Sequence, residues 1–204
     1  MRIVGVIPAA GLSARMGRPK LALPYAGRTL LERVIDAVRA GGVAEVLVVL
    51  GPASLFLKDL AERAGARVLT LGSDTPDMRA TVLAGLRWLD ANLRPGPEDG
   101  WLLLPADHPT LDPAVVAALR TAAADDAAHS IFVPAHQGQR GHPTLFRWRH
   151  TPALLSLPEG QGLNSYLRAN TAAVREIDWP TSEVLRDLDT PADYERLLQE
   201  PRTK

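Results

Sequence analysis

The sequence predicts an α/β fold: a mostly parallel sheet, covered by helices in a three-layer sandwich. Three observations carry that expectation. Residues 1–71 alternate strand, helix, strand, helix, strand, the pattern of parallel strands joined by crossover helices. The strand segments are nearly unbroken apolar runs, such as Glu45-Val46-Leu47-Val48-Val49-Leu50, which marks strands buried on both faces. The chain has 204 residues, a length that one domain covers with a full core. The expected organisation is therefore a single domain over 1–204.

The elements follow in order. Residues 3–9 form the first strand. Residues 21–26 read as a short apolar link, with a turn at Gly27-Arg28. Thr29 caps a helix whose apolar positions Leu30, Leu31, Val34, Ile35 and Val38 recur at helical spacing, and Gly41-Gly42 stops it. The second strand is 45–50, a helix covers 53–64, and the third strand is 67–71. A polar loop precedes a helix over 78–89, and residues 101–104 form the fourth strand. Asp112-Pro113 reads as a cap followed by the first helical position. Strands are expected at 130–134, 143–146 and 173–177, with short helices between 150 and 170. Thr190-Pro191-Ala192-Asp193 has the form of a capping box opening a last helix. Trp148 and Trp179 stand as candidates for exposed aromatic residues.

Composition narrows the function classes. Lysine plus arginine and aspartate plus glutamate both number 23, so the formal charge is zero, and a nucleic-acid partner, which calls for a basic excess, is not expected. No cysteine is present, which excludes disulfides and thiolate metal sites. No apolar run reaches membrane-spanning length, and the first residues lack the pattern of a signal peptide. A cytoplasmic protein with no membrane partner is the expectation.

The chemistry-bearing stretch follows the first strand: Ala9-Ala10-Gly11-Leu12-Ser13-Ala14-Arg15-Met16-Gly17-Arg18-Pro19-Lys20. Small residues let backbone N–H groups approach an anion, and fixed cations beside them neutralise phosphates. The loop is not a P-loop, since five residues separate Gly11 from Gly17 and neither Ser nor Thr follows Lys20. It is not a dinucleotide fingerprint either. A plain surface loop is the alternative reading. Asp107 ends an apolar strand, where it would be exposed in the crevice at the carboxyl ends of the strands. A carboxylate there suits Mg²⁺, which takes one or two carboxylates plus phosphate oxygens.

Ala9-Ala10-Gly11-x-x-x-Arg15-Met16-Gly17-x-x-Lys20 resembles the signature loop of MobA-like nucleotidyltransferases. Within them the likeness is closest to molybdenum cofactor cytidylyltransferases, and it runs from Val6 to about Leu198. The resemblance implies a Rossmann-like fold of the nucleotide-diphospho-sugar transferase type. It implies transfer of a nucleoside monophosphate, CMP from CTP favoured, to a phosphorylated acceptor of the molybdopterin class, with Mg²⁺ as cofactor and pyrophosphate as product. A molybdoenzyme client is the implied protein partner. Arg15, Lys20 and Asp107 take the catalytic roles. Ala9, Ala10, Gly11, Leu12, Ser13, Arg15, Lys20, Arg79, Thr81 and Asp107 take the nucleotide-binding ones.

Asp107-His108-Pro109 matches an Asp-x-Pro motif whose Asp is a metal ligand, with His108 where Gln or Met is usual. Asp187-Leu188-Asp189-Thr190-Pro191 matches a second run, implying Asp189 as the other ligand. Gly141-His142-Pro143 resembles the stretch lining the acceptor side, with His142 a positioning group and Arg140 a phosphate binder. Asp77 and Arg79 stand where the family carries serines near the base, and residues 159–164 depart from its Asp-x-Gly-Ala-Arg run. Base and acceptor therefore stay open. Three alternatives remain: transfer to a sugar phosphate or similar acceptor, a non-catalytic cofactor-maturation module, and, more remotely, a redox enzyme. Lys20 is read here as a solvated loop cation that matters more to turnover than to folding.

Overall fold

The computed structural model describes residues 1–11 and 16–200. Strand β1 spans Ile3–Pro8 and is buried from Val4 onward. A 3₁₀ turn, Lys20–Ala22, leads into a small antiparallel hairpin of β2 (Pro24–Tyr25) and β3 (Arg28–Thr29). The sequence shows only a link and a turn there. Ala26 and Gly27 carry the turn at φ +49° and +79°, the mirror-image geometry that suits a two-residue hairpin.

Helix α1 (Leu30–Ala40) begins in the expected capping box. The Glu32 N–H donates to Thr29 Oγ1 at 3.3 Å, and the Thr29 N–H donates back to the Glu32 carboxylate at 2.8 Å. Strand β4 (Glu45–Leu50) follows. The expected helix over 53–64 divides into a 3₁₀ stretch, Pro52–Leu57, and a short α2 (Lys58–Arg63). Strand β5 is Arg67–Thr70, and α3 runs from Met78 to Leu93, one turn past its expected end. Strand β6 (Gly100–Leu103) precedes α4 (Pro113–Asp125), which Asp112 caps by accepting the Ala114 N–H at 2.8 Å.

Next come β7 (Ile131–His136), β8 (Gln139–Arg140) and β9 (Thr144–Arg147). The short helices α5 (Thr151–Leu155) and α6 (Leu163–Ala169) lead to β10 (Val174–Asp178) and then α7 (Pro191–Gln199).

Among the described residues the main sheet has eight strands, in the order β10-β7-β9-β6-β1-β4-β5, with β8 paired to β7. The β1, β4, β5 and β6 pairings are parallel, as is β10 with β7. Strand β9 runs antiparallel to both β6 and β7. The connection from β7 to β9 is too short for a crossover, so the chain can only fold back. From β1 the chain builds outward through β4 and β5, then returns to place β6 on the other side. The strand order thus reverses between β1 and β6, the point where open α/β sheets bind ligands.

Two apolar layers flank the sheet. One packs Leu31, Val34, Ile35 and Val38 of α1 and Val115, Val116 and Leu119 of α4 on one face. The other packs Val82, Leu86 and Leu89 of α3 with Leu154 and Tyr166 on the opposite face. Trp101 and Phe146 stack across β6 and β9 with ring centroids 4.5 Å apart. Trp148 is buried in this second layer and Trp179 is half-buried, so neither is an exposed aromatic residue. Tertiary packing decides this, since Trp148 lies between Arg147 and Arg149 in the sequence yet packs into the apolar cluster of the second layer. A third cluster joins Met16, Leu30, Leu188, Tyr194 and Leu197, with Leu23 and Tyr25 packed beside it. It docks the last helix onto the hairpin.

Candidate active site

Three segments distant in sequence meet at the carboxyl edge of β1 and β6. Lys20 comes from the turn after β1, Asp107 from the loop after β6, and Asp189 from the residue before the cap of α7. The Lys20 ammonium donates to Asp107 Oδ2 at 3.2 Å, Asp189 Oδ1 at 3.1 Å and the Leu188 carbonyl at 2.8 Å. The Lys20 side chain is only 13% exposed. It is therefore not the solvated cation expected from the sequence, because the fold closes two acids and a carbonyl around it. Asp107 faces the crevice as expected but is half-buried there, and its Oδ1 is buried without a hydrogen-bond partner.

Local structure explains why Asp189 arrives there. The Thr190 capping box forms as expected: the Asp193 N–H donates to Thr190 Oγ1 at 3.2 Å. The Asp193 carboxylate accepts the backbone N–H groups of Thr190 at 2.7 Å and of Asp189 at 3.2 Å. The Thr190 hydroxyl, which donates to the same carboxylate at 2.7 Å, and after it these backbone bonds hold the Asp193 carboxyl down at about 2. The Leu188 N–H donates to the Asp107 carbonyl at 2.9 Å, stitching the two acid-bearing segments together. The Tyr194 hydroxyl donates to the Pro24 carbonyl at 2.6 Å, anchoring α7 to the hairpin.

Two clefts share this centre. The larger, of about 480 Å³, is lined by Ala9, Ala10, Gly11, Lys20, Thr75 and Thr81, with Asp107 and Asp189 at its end. The smaller, of about 330 Å³, is lined by His108, Gln139, Arg140, Gly141 and His142, again with Asp107 and Asp189. The acid pair is thus the common wall of two compartments. Gly51, at the end of β4, allows the larger cleft its close walls: a Cβ there would lie 3.3 Å from both Ala10 Cβ and Asp74 Oδ1. Gly141 is required on the other side, since its Cβ would lie 2.2 Å from the Val184 carbonyl oxygen.

The nucleotide-side residues expected from the sequence divide. Ala9, Ala10, Gly11, Lys20, Thr81 and Asp107 line the larger cleft. Leu12, Ser13 and Arg15 lie outside the described residues. Arg79 is not among the lining side chains; its Nη2 donates to the Leu157 carbonyl at 2.5 Å and tethers α3 to the loop after α5. Thr81 is buried, 2.6 Å from the Thr75 hydroxyl, and donates to the Asp77 carbonyl. It shapes the 74–77 loop, whose Asp74, Thr75 and Asp77 line the cleft beside it. Asp77 also caps α3, accepting the Ala80 N–H at 2.7 Å. Asp74 is a charged lining residue that sequence reasoning passed over. It lies in an ordinary polar loop and carries no motif signal.

On the acceptor side, the Arg140 Nε donates to the Glu176 carboxylate at 2.7 Å, and Arg140 lines the smaller cleft. His142 packs edge-on against His108, ring centroids 5.1 Å apart. The Nδ1 atoms of both rings are buried without partners. Burial, reinforced by the neighbouring His108, pushes His142 down to about 4. Burial likewise lowers His108, against the opposing pull of Asp107. Both rings are neutral at pH 7, which suits hydrogen bonding to a ligand rather than charge pairing.

Among the described residues no group of three or more His, Asp or Glu side chains is arranged to hold a metal ion. Two carboxylates, one with an unpartnered buried oxygen, are nevertheless what a hard cation sharing its shell with phosphate oxygens requires. The residues fit such a group.

The comparisons agree with this construction. The model of the MobA-like NTP transferase domain matches residues 5–174. Nicotine blue oxidoreductase from Paenarthrobacter nicotinovorans is 31% identical over 202 residues, covering 96% of each chain. A 2-C-methyl-D-erythritol 4-phosphate cytidylyltransferase from Alteromonas mediterranea is 34% identical over 122 residues, which span 58% of this chain and about half (48%) of that protein. The crystal structure of Rv0371c from Mycobacterium tuberculosis H37Rv is 29% identical with a TM-score of 0.81, covering 98% of this chain and 100% of that one. The same protein in complex with manganese gives 27% and 0.76 over 98% and 100%. Loop spacing, strand order and the family match over residues 5–174 converge: the chain has the nucleotide-diphospho-sugar transferase fold, belongs to the MobA-like NTP transferase family and is an enzyme of the nucleotidyltransferase type.

Proposed function

We propose that this chain, working as one domain, transfers CMP from CTP to the phosphate of a small acceptor, with molybdopterin or molybdenum cofactor favoured, and releases pyrophosphate. One observation carries the reading: Asp107 and Asp189 form the wall common to a glycine-edged cleft and a cleft bearing Arg140 and His142. A transferase needs such a shared wall, because donor and acceptor must meet at one atom. An oxygen of the acceptor phosphate attacks the α-phosphorus, the bond to the β-phosphate oxygen breaks, and pyrophosphate leaves. The acceptor phosphate is ionised at neutral pH, so no strong base is required. This agrees with the neutral, buried state of His142.

Asp107 and Asp189 would hold Mg²⁺, which supplies Lewis-acid polarisation and charge neutralisation at the transferred phosphate. The likeness to a protein crystallised with manganese supports a divalent ion. Lys20 neutralises phosphate charge from the cleft wall, and Arg15 is assigned the same role from the signature loop. The Gly11–Ser13 backbone is assigned the phosphate cradle. Arg140 engages the acceptor phosphate, and His142 positions the acceptor through an imidazole nitrogen. Arg79 acts from behind, by holding α3 against the 157–162 segment.

The test is pyrophosphate release with Mg²⁺, each of the four nucleoside triphosphates, and molybdopterin or molybdenum cofactor as acceptor, with sugar phosphates in parallel. CTP-dependent release, lost in Asp107→Asn, supports the reading. Release only with another pair keeps the reaction and moves the substrate. The full-length likeness to nicotine blue oxidoreductase favours one second reading, a redox reaction on the same scaffold. NADH and NADPH oxidation with nicotine blue as acceptor tests it. Turnover there, with no pyrophosphate release for any pair, would overturn the transferase proposal.

A further inference from the structure

The Lys20 ammonium occupies the position between Asp107 and Asp189 that a bound cation would claim. It is held by one oxygen of each carboxylate, at 3.2 and 3.1 Å, and by the Leu188 carbonyl at 2.8 Å. Two acids brought together by the fold repel one another unless a cation lies between them. Lys20 supplies that cation. We propose that Lys20 is a stand-in cation: it competes with the divalent ion for the acid pair, and withdraws from it when a nucleotide offers phosphate oxygens to its ammonium. Metal and nucleotide then bind cooperatively, and the acid pair is kept from taking up a divalent ion alone. The inference deepens the nucleotidyl-transfer reading and rests on it.

Four observations support the exchange. Lys20, Asp107 and Asp189 line the same cleft of about 480 Å³, so the ammonium reaches an anion placed there without leaving the cleft. Lysine is a compact charge on a four-carbon stem with rotatable donors, so a change of partner needs only torsions of its own side chain. Asp107 Oδ1 is buried and without a hydrogen-bond partner, so the lysine leaves the pair's capacity for a cation incompletely used. The described lining of the cleft is acidic, with Asp74, Asp77, Asp107 and Asp189 beside Lys20. Such a lining repels a bare triphosphate and favours one that enters with its counter-ion. The ammonium and a divalent ion on the same two carboxylates would be like charges in contact, which forces one to yield.

The test is manganese affinity, measured by electron paramagnetic resonance on the nucleotide-free protein for the wild type, Lys20→Met and Lys20→Gln. Removing the competing ammonium should tighten Mn²⁺ binding by about tenfold or more, and Mn²⁺ should raise the melting temperature of both variants more than that of the wild type. Adding Asp107→Asn to Lys20→Met should abolish the gain. Equal or weaker Mn²⁺ binding in both lysine variants overturns the proposal, as does a gain that survives Asp107→Asn. Lys20→Gln keeps a polar donor at the site and guards against a variant that merely misfolds. The titration needs no nucleotide. A tenfold gain with no pyrophosphate release for any substrate pair therefore removes the proposed reaction and leaves the cation exchange standing, whereas turnover without the gain does the reverse.

Discussion

Lys20 and Arg147 are both half-buried or buried cations that tie together remote parts of the chain, and they stand at opposite edges of one sheet. Arg147 ends β9, beside the start of β6. Its side chain is 8% exposed. Its Nη2 donates to the carbonyls of Ala123 at 2.8 Å and Asp126 at 2.9 Å, and its Nη1 to the Glu98 carboxylate at 2.8 Å. Those carbonyls end α4 and open the turn before β7, so the guanidinium satisfies backbone groups that would otherwise be orphaned. Lys20 is paired instead with two carboxylates at the ligand-binding edge. Around it remain an unpartnered carboxylate oxygen and two unpartnered imidazole nitrogens. A buried cation amid satisfied carbonyls serves the fold. One amid acids and unsatisfied polar atoms serves a ligand, because the fold alone has no reason to bear that cost.

The contrast can be broken most sharply at Asp107. Asp107→Asn should lower pyrophosphate release by about 10²–10³-fold while leaving the circular-dichroism melt nearly unchanged. A melt that collapses along with activity would place Asp107 with Arg147 as a structural group. Arg147→Met should do the opposite. Leaving the carbonyls of Ala123 and Asp126 without their donor, while Arg149 still holds Glu98, should cost about 3 kcal/mol. That lowers the melting temperature by about 6–12 °C for a chain of this size, with turnover of the folded fraction unchanged.

A third probe is acid. His142 is held near 4, below the unfolded value of about 6.5. In this window the unfolded chain binds the proton that the folded chain refuses, so stability is complete above pH 6.5 and declines as pH falls toward 4. The largest loss is about 3 kcal/mol, measured by urea titration across that range, and His142→Asn should flatten the slope. The smallest expected effect belongs to the anchor of α7. Tyr194→Phe removes the hydroxyl bond to the Pro24 carbonyl and should cost about 1 kcal/mol, with a modest loss of activity as Asp189 loosens.

Much of this molecule is written locally. The helix starts at Thr29, Asp112 and Thr190 are capped as their sequences state, since a cap is a contact among residues two or three positions apart. The apolar runs of β1 and β4 name themselves as buried parallel strands. Where the chain departs from expectation, a non-local term wins. The 52–57 stretch winds as a 3₁₀ helix, and Gly51 just before it lies where a Cβ would press on Ala10 and Asp74. Arg79, adjacent to the base-side loop in sequence, is claimed by the Leu157 carbonyl on another helix connection. Lys20 reads as a loop cation until α7 folds back to enclose it.

The order of the longer strands and helices, the caps at Thr29, Asp112 and Thr190, and the residue types at the ends of β1 and β6 were legible in the amino-acid sequence, because propensity, periodicity and short-range hydrogen bonds act over a few residues; the two-residue strands β2, β3 and β8 were not. The assembly of the site was not. Lys20, Asp107 and Asp189 are separated by 87 and 169 positions along the chain from the lysine. They become neighbours because Leu188, Tyr194 and Leu197 bury themselves against Leu30 and Met16, and because the Leu188 N–H finds the Asp107 carbonyl. Hydrophobic docking is non-directional and long-range in sequence. What it brings together, and whether a charged group ends in water or among acids, is settled by packing.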